Sequence, residues 1–391
     1  MSVADRGGTA ALPRAARAVQ CEAWWQAPEA QARALEAHPE SADPHLRLRL
    51  AEGVLDAVVS PGSVLDTLLA LWGECLDPVE RQDGATRIAC RVVQRPDADC
   101  IFLRLSGAVD FDLAEHAHNL LAHLYLGASE KYVEIESTSK PWRMFAVASR
   151  PGWPVIAVDT HRVLVDARRQ PVNFVVHFPV SAVMRAQAGV IFVHAAAVAA
   201  AGAGVLIAGP SGAGKTTLAL GLAARGHDFY SENVAGLRVG RGEVLPLRRT
   251  AFLRPGARSH AVGRVLDGLG VDLPDQRAGP VMPPKTPFLT TTHFPPATSA
   301  AVPLRYAFFL RGFAARSAVE HFSPTRADFE RILRPLVFDI LVAASWGAVT
   351  GWLIRHLQLL AMLRQAHCFL LDAGHPDETA DLVAATVRGG V

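Results

Sequence analysis

Val205-Leu206-Ile207-Ala208-Gly209-Pro210-Ser211-Gly212-Ala213-Gly214-Lys215-Thr216-Thr217-Leu218-Ala219-Leu220 is the stretch that decides the fold of this chain. Residues 205–208 form a continuous apolar run, as in a strand covered on both faces. The run feeds straight into a loop holding Gly209, Gly212 and Gly214. Glycine lets the backbone curl through left-handed conformations and leaves no Cβ to obstruct a ligand. Beyond the loop, Leu218, Ala219, Leu222 and Ala223 recur at helical spacing, and Arg225 followed by Gly226 marks a C-terminal cap. Strand, glycine-rich loop and helix thus come in the order in which G-x-x-x-x-G-K-T cradles phosphates. A turn that merely caps a helix would not need the lysine and threonine in register.

Each residue type has a role in that chemistry. Backbone N–H groups of the loop converge on an anion, and the helix adds the positive end of its dipole. Lys215 supplies a mobile charge for the β- and γ-oxygens, and the Thr216 hydroxyl suits Mg²⁺. The expected ligands are ATP and Mg²⁺, and the expected binding set is Gly209, Pro210, Ser211, Gly212, Ala213, Gly214, Lys215, Thr216 and Thr217.

Two flanks extend the site. Gly202 and Gly204 suggest a tight hairpin between strands 194–200 and 204–208. Pairing about Gly202 would set His194 opposite residue 210, beside the phosphates. A histidine at a strand end is otherwise a structural residue. On the other side, Asp228-Phe229-Tyr230-Ser231-Glu232-Asn233 looks like a short strand ending in polar groups, where a parallel sheet presents its functional edge. Glu232 is placed to hold Mg²⁺ or accept a hydroxyl proton, and an exposed turn glutamate is the plain alternative.

These residues together resemble the HPr kinase/phosphorylase family and, more distantly, the ATP-dependent phosphoenolpyruvate carboxykinases. The likeness is specific over about forty residues, from Val193-His194 through the loop and Arg225-Gly226-His227 to Ser231-Glu232-Asn233-Val234. A weaker likeness, including Phe309-Leu310-Arg311-Gly312, extends it over most of 190–385. In that family a histidine precedes the loop by a similar interval, and two aspartates follow the Arg-Gly-His. Glu232 stands where the first aspartate, the base, would be, and Asn233 where the second would be. The first change keeps a carboxylate one methylene further out; the second removes a charge from a Mg²⁺ and proton-transfer site. The resemblance implies a mixed-sheet P-loop kinase core with Glu232, His194 and Lys215 as catalytic residues and Thr216, Glu232 and Asn233 around the metal.

Composition sets the frame. The chain has 391 residues, half of them hydrophobic, enough for two domains. Lysine plus arginine (39) nearly balances aspartate plus glutamate (37), so no global field argues for nucleic acid or an anionic membrane. Five cysteines without a CxxC pair fit reduced thiols, and no secretory signal is visible, so a cytoplasmic protein is expected. The run 336–354 carries Asp339 and is read as a buried helix, too short on its apolar side to span a membrane.

The expected organisation is a helical or loosely ordered segment 1–44 with Trp24-Trp25 as an anchor, an α+β domain 45–171, and an α/β nucleotide-binding domain 172–391. The α+β domain contains strand-like runs at 88–93, 101–105, 143–148, 155–158 and 162–165 and helix-like stretches at 63–76 and 112–126. The polar stretch 166–171 resembles a linker, and a helix is expected at 179–188. Residues 277–296, rich in proline, should form a loop outside the core. A strand at 306–310, a helix at 325–334 and two further helices are expected to close the chain.

On this reading the protein is a phosphotransferase acting on a serine or threonine hydroxyl of a protein or peptide, and a homo-oligomer is compatible with it. A metabolite kinase or carboxykinase on the same framework is one alternative; the latter needs basic residues such as Lys131, Lys140 and Arg143 for a dicarboxylate. An ATP-sensing module that transfers nothing is another, suggested by Asn233. Arg248-Arg249, Arg254 and Lys285 are candidate clamps for a phosphoryl group or acidic substrate.

Overall fold

The computed structural model describes residues 27–37, 39, 43–77, 85–107, 109–125, 133–135, 141–146, 155–168, 171–247, 250–253, 261–270, 286–288, 290–294, 301–325 and 346–389. They form an α/β protein with mixed sheets, divided by its own contacts into two units. Unit 1 comprises Met1–His45, Ala57–Leu65 and Ala89–Pro179, and unit 2 comprises Leu46–Asp56, Asp66–Ile88 and Val180–Val391.

The first described helix is α1 (Pro28–Glu36). The hairpin β1 (His45–Leu50) and β2 (Gly53–Val59) follows, with the end of β2 in unit 1, and then α2 (Ser63–Trp72), β3 (Thr86–Val93) and β4 (Cys100–Gly107). Next come α3 (Leu113–Tyr125), β5 (Val133–Ile135), β6 (Arg143–Ala146), β7 (Val155–Val158) and β8 (Arg162–Asp166). Helix α3 starts where it does because the Asp112 carboxylate accepts from the N–H groups of Ala114 (2.8 Å) and Glu115 (3.3 Å). Strands β4, β8, β7, β6 and β5 are antiparallel neighbours in that order. Register then dictates the core: Phe102 lies opposite Leu164, Leu164 opposite Ala157 and Ala157 opposite Met144, one apolar row across four strands. Ala32 and Leu35 of α1 pack into that cluster with Trp142.

Helix α1 is also held electrostatically. Glu29 accepts from Arg162 (2.8 Å), Arg33 (2.9 Å) and Trp142 Nε1 (3.2 Å). Arg162, then Arg33, then the indole hold its carboxyl at about 2, below the usual 4.5, against a smaller opposing effect of burial. A carboxyl depressed in the folded state stabilises fully above its unfolded pKa, and that stabilisation is lost as pH falls toward the folded value. The side chain is 38% exposed, so screening reduces the effect. Urea denaturation between pH 5 and 2 should show the native protein losing stability faster than Glu29→Gln; parallel curves would exclude this role.

Unit 2 corrects several expectations. Helix α4 (Val172–Ala186) does not start at Pro179 but carries that proline inside it. Phe174, Val175 and Phe178 are buried about one to two and a half turns before the buried Ala182 and Val183, so one apolar face outweighs the lost N–H. By contacts the chain divides between Pro179 and Val180, not at 171, and 46–56 and 66–88 group with the C-terminal half. Side chains remote in sequence make those links: Gln187 accepts from the Glu52 N–H (3.0 Å), Arg238 donates to Glu52 (2.8 Å), and Thr290 donates to Glu74 (2.7 Å).

From here the chain runs β9 (Val190–Val193), β10 (Ala195–Ala200), β11 (Ala203–Ala208), α5 (Lys215–Ala223), β12 (Asp228–Ser231), β13 (Ala235–Arg238) and β14 (Glu243–Leu245). Strands β15 (Ala251–Leu253) and β16 (Thr286–Phe288) pair antiparallel, with α6 (Ala261–Gly268) between them and α7 (Thr290–His293) after them. Strands β17 (Val302–Phe313) and β18 (Ala318–His321), helix α8 (Trp346–Leu363), strand β19 (His367–Ala373) and helix α9 (Pro376–Gly389) complete the unit. The sheet order is β12-β10-β11-β17-β14-β13-β9, with β19 on β17 and β18 on β19. Strands β11, β17 and β19 are mutually parallel. Because β10 is antiparallel to both β11 and β12, β12 points the same way, and four strand C-termini share one edge.

Both faces of this sheet are covered, which is why its strands are continuously apolar. Ile207, Phe308, Leu310 and Leu371 pack under α5, α6 and α9, and Leu206, Phe309 and Cys368 pack with Leu359 and Leu363 of α8. The described part of the proline-rich stretch, 286–288 and 290–294, is not outside the core: Phe288 and Phe294 are buried, and Phe294 stacks on Phe229 at 5.9 Å, while the rest of 277–296 lies outside the described residues. The run 336–354 is not a wholly buried helix, since Leu353 and Ile354 are exposed; its residues 336–345 lie outside the described residues. One of the two expected terminal helices is preceded by a strand, β19, whose apolar pattern is that of an inner strand. Trp24-Trp25, Arg248-Arg249, Arg254, Lys285, Lys131, Lys140 and residues 326–334 of the helix expected at 325–334 lie outside the described residues. No helix among the described residues is long and apolar enough to cross a membrane.

Candidate functional site

Strand β11 delivers the glycine-rich loop to the shared C-terminal edge, and the loop folds as its composition requires. Gly209, Gly212 and Gly214 have φ of 151°, 85° and 99°, where a side chain would be strained. A Cβ on Gly209 would also sit 2.9 Å from the Leu310 carbonyl oxygen, so the loop begins pressed against β17. Gly214 is the N-cap of α5, and the Leu218 N–H closes the first helical turn on its carbonyl at 2.9 Å. The helix therefore directs its N-terminal end, the positive end of its dipole, at the loop's concavity, an arrangement that can hold an anion.

Lys215 is nearly buried and donates to the carbonyls of Gly209 (2.8 Å) and Pro210 (3.1 Å). The ammonium thus braces the two ends of the loop. Thr216 donates its hydroxyl to Glu232 Oε1 at 2.7 Å. Glu232 comes from the end of β12, so strand order alone brings this carboxylate to the loop. Asn233 sits at φ 65° with the Val234 N–H bonded back to the Glu232 carbonyl at 2.8 Å. Asparagine tolerates that left-handed conformation, so Asn233 has a backbone reason to be there.

His194 is half-buried at the bend between β9 and β10. The hairpin register differs from expectation by one residue. Ala195 pairs with Ala208, so 194 falls opposite 209 and not 210. The turn is Ala201-Gly202, both at positive φ (50° and 77°), a two-residue type I′ geometry that centres the hairpin between two residues instead of on one. Since Val193 pairs with Ala235 and Ala197 with Ser231, the His194 bend and the Glu232–Asn233 turn run side by side. Neither a family model nor a curated protein sequence matches this chain.

The Arg225-Gly226-His227 group lies at the far end of β12, away from the loop. Gly226 caps α5 at φ 85°, and Arg225 ties that helix to α9 through Asp381 (2.7 Å) and Asp377 (3.3 Å). Burial, then Arg388 and Arg225, lowers the His227 pKa. Arg143 likewise serves its own unit, bonding Asp112 at 3.1 Å and lying over the Phe145 ring. Among the described residues no three His, Cys, Asp or Glu side chains form a metal cluster. A Mg²⁺ held mainly by phosphate oxygens and water needs only one or two protein oxygens, and the Thr216–Glu232 pair meets that requirement.

Sequence reasoning passed over the other side of the loop. The ends of β17 and β19 bring Leu310, Phe313, Ala373 and Gly374 next to Gly214 and Thr217. The signal was present in Ala373-Gly374-His375-Pro376, an apolar run broken by glycine before a proline-started helix, which repeats the strand-turn-helix logic of the loop itself.

Proposed function

We propose that this chain is an ATP- and Mg²⁺-dependent phosphotransferase of the HPr kinase type, passing the γ-phosphoryl group to a serine or threonine hydroxyl of a protein or peptide. The observation that carries the reading is the 2.7 Å hydrogen bond from Thr216 to Glu232, a carboxylate at the metal-binding residue of a lysine-bearing phosphate loop. Accepting the Thr216 proton turns the hydroxyl's lone pairs outward, which is how a carboxylate orients a ligand behind a metal. Bound Mg²⁺ would neutralise charge on the β- and γ-oxygens. Glu232 takes the proton of the acceptor hydroxyl as its oxygen bonds to the γ-phosphorus, the bond to the bridging oxygen breaks, and ADP leaves with that electron pair. Lys215 balances the charge that develops on the transferred group and the leaving oxygen. The unbridged, buried state of Cys75, Cys90, Cys100 and Cys368 supports a cytoplasmic setting; burial pushes the Cys90 and Cys368 thiols up to about 12.

A second reading, an ATP sensor without transfer, is favoured by the neutral Asn233 and by a lysine already bonded to the loop's own carbonyls. Calorimetric titration with Mg-ATP, together with radiolabel transfer from γ-labelled ATP to seryl and threonyl peptides and to small alcohols, separates the readings. Phosphorylated peptide with matching ADP is expected. Tight Mg-ATP binding with no ADP release would establish the sensor, and labelled small alcohols alone would establish a metabolite kinase.

A further inference from the structure

Phe313 is 65% exposed, the most exposed large apolar side chain among those described. Its position is set by a fault in the sheet. Leu310 pairs with Leu371, but Gly312 pairs with Asp372 and Phe313 with Ala373, so Arg311 is an extra residue bulged out of the ladder. Tyr306, Phe308 and Leu310 occupy the face under α5 and α9. Without the bulge the next residue in that row would be Gly312; with it the row continues as Phe313. Bulges re-aim side chains in this way next to functional sites. The row runs past the N-terminus of α5, so its last ring emerges at the loop. A Cβ on Gly214 would meet the Phe313 ring at 3.6 Å.

The ring forms one wall of a shallow hollow completed by Thr217, Leu218, Ala373, Gly374 and Pro376. This hollow lies on the β17–β19 side of the loop, while Glu232 lies on the β12 side. A nucleotide whose γ-phosphate points at Lys215 and Glu232 must leave the loop in the opposite direction, across Thr217. Thr379, at the floor, already bonds its hydroxyl to the His375 carbonyl (2.9 Å) and to Ser317 (2.8 Å), so the surface offered is chiefly apolar area.

We infer that this hollow is the nucleobase subsite, with the base stacked on the Phe313 ring; the inference rests on the reading of the loop as a nucleotide phosphate site. A stacking wall without committed edge contacts accepts either purine, since every base has a π-face.

Calorimetry with Mg-ATP and with Mg-bound inorganic triphosphate, on the native protein, Phe313→Ala and Phe313→Trp, tests the subsite. Native protein should bind ATP more tightly than inorganic triphosphate. Phe313→Ala should weaken ATP about tenfold, the order of one lost base–aromatic stack, and leave triphosphate unchanged. Phe313→Trp should keep ATP affinity. If Phe313→Ala binds ATP as the native protein does, the subsite is wrong while the loop stands. If native protein binds neither ligand, the loop reading fails and takes the subsite with it.

Discussion

Lys215→Ala should weaken Mg-ATP binding roughly 30- to 150-fold, about 2–3 kcal/mol, while leaving the fold and its thermal midpoint nearly unchanged. Two opposing contributions set that figure. A unit charge about 4 Å from a phosphate charge is worth about 4 kcal/mol at the effective dielectric of a protein surface. Against this, the ammonium must first release the carbonyls of Gly209 and Pro210, which it bonds at 2.8 and 3.1 Å. Such bonds contribute about 1–2 kcal/mol together once water replaces them. The fold should survive because the two carbonyls sit in a loop next to solvent, where water can take the lysine's place, and because alanine is the better residue for a first helical turn. Calorimetry and thermal unfolding on the same preparations check both halves. Equal ATP affinity in variant and native protein would mean that the loop binds something other than a triphosphate.

The loop itself was legible because local rules dictate it. Three glycines, a preceding apolar run and a following helical period each act within a few residues, and the positive φ values at 209, 212 and 214 follow from them. Glu232 was legible for a related reason: a short apolar run ending in acid places that acid at a strand's C-terminal edge. What local rules cannot supply is register and partnership between distant segments. The His194 pairing was one residue out because a glycine suggests a turn but does not say whether the turn centres on it or beside it. The burial of Phe294, and of Phe288 beside it, was hidden because the ring on which Phe294 stacks, Phe229, lies more than sixty residues earlier. Phe313 was invisible for the same reason. Its orientation depends on a bulge, which exists only relative to β19.

The strand order also gives the edge a polarity. Glu232 and Asn233 arrive from β12, the phosphate loop from β11, and Phe313 and Gly374 from β17 and β19. Parallel strands present all of these at one end, so on the proposed reading chemistry and recognition are spread across neighbouring strands instead of being concentrated in one motif. That separation is why the loop alone cannot distinguish a transferase from a sensor. The distinction rests on what lies on its β12 side.

Glu232→Gln should therefore lower turnover by about two to four powers of ten, or roughly 3–5 kcal/mol in the barrier, with little change in Mg-ATP affinity. The substitution is nearly isosteric, and its amide oxygen can still accept the Thr216 hydroxyl, now bonded at 2.7 Å, so the loop and Thr216 stay in place. What disappears is the ability to take a proton and the negative charge behind the metal. Glu232→Asp provides the graded control. It keeps the charge but withdraws it by one methylene, and turnover between that of the native protein and the glutamine variant is expected if position as well as charge matters. Steady-state rates with a phosphorylated acceptor as readout, alongside calorimetric ATP affinities for all three proteins, separate the possibilities. A glutamine variant that turns over at the native rate would remove Glu232 as the base. A uniform fall in ATP affinity with no change in turnover of the bound complex would assign the carboxylate to metal binding alone.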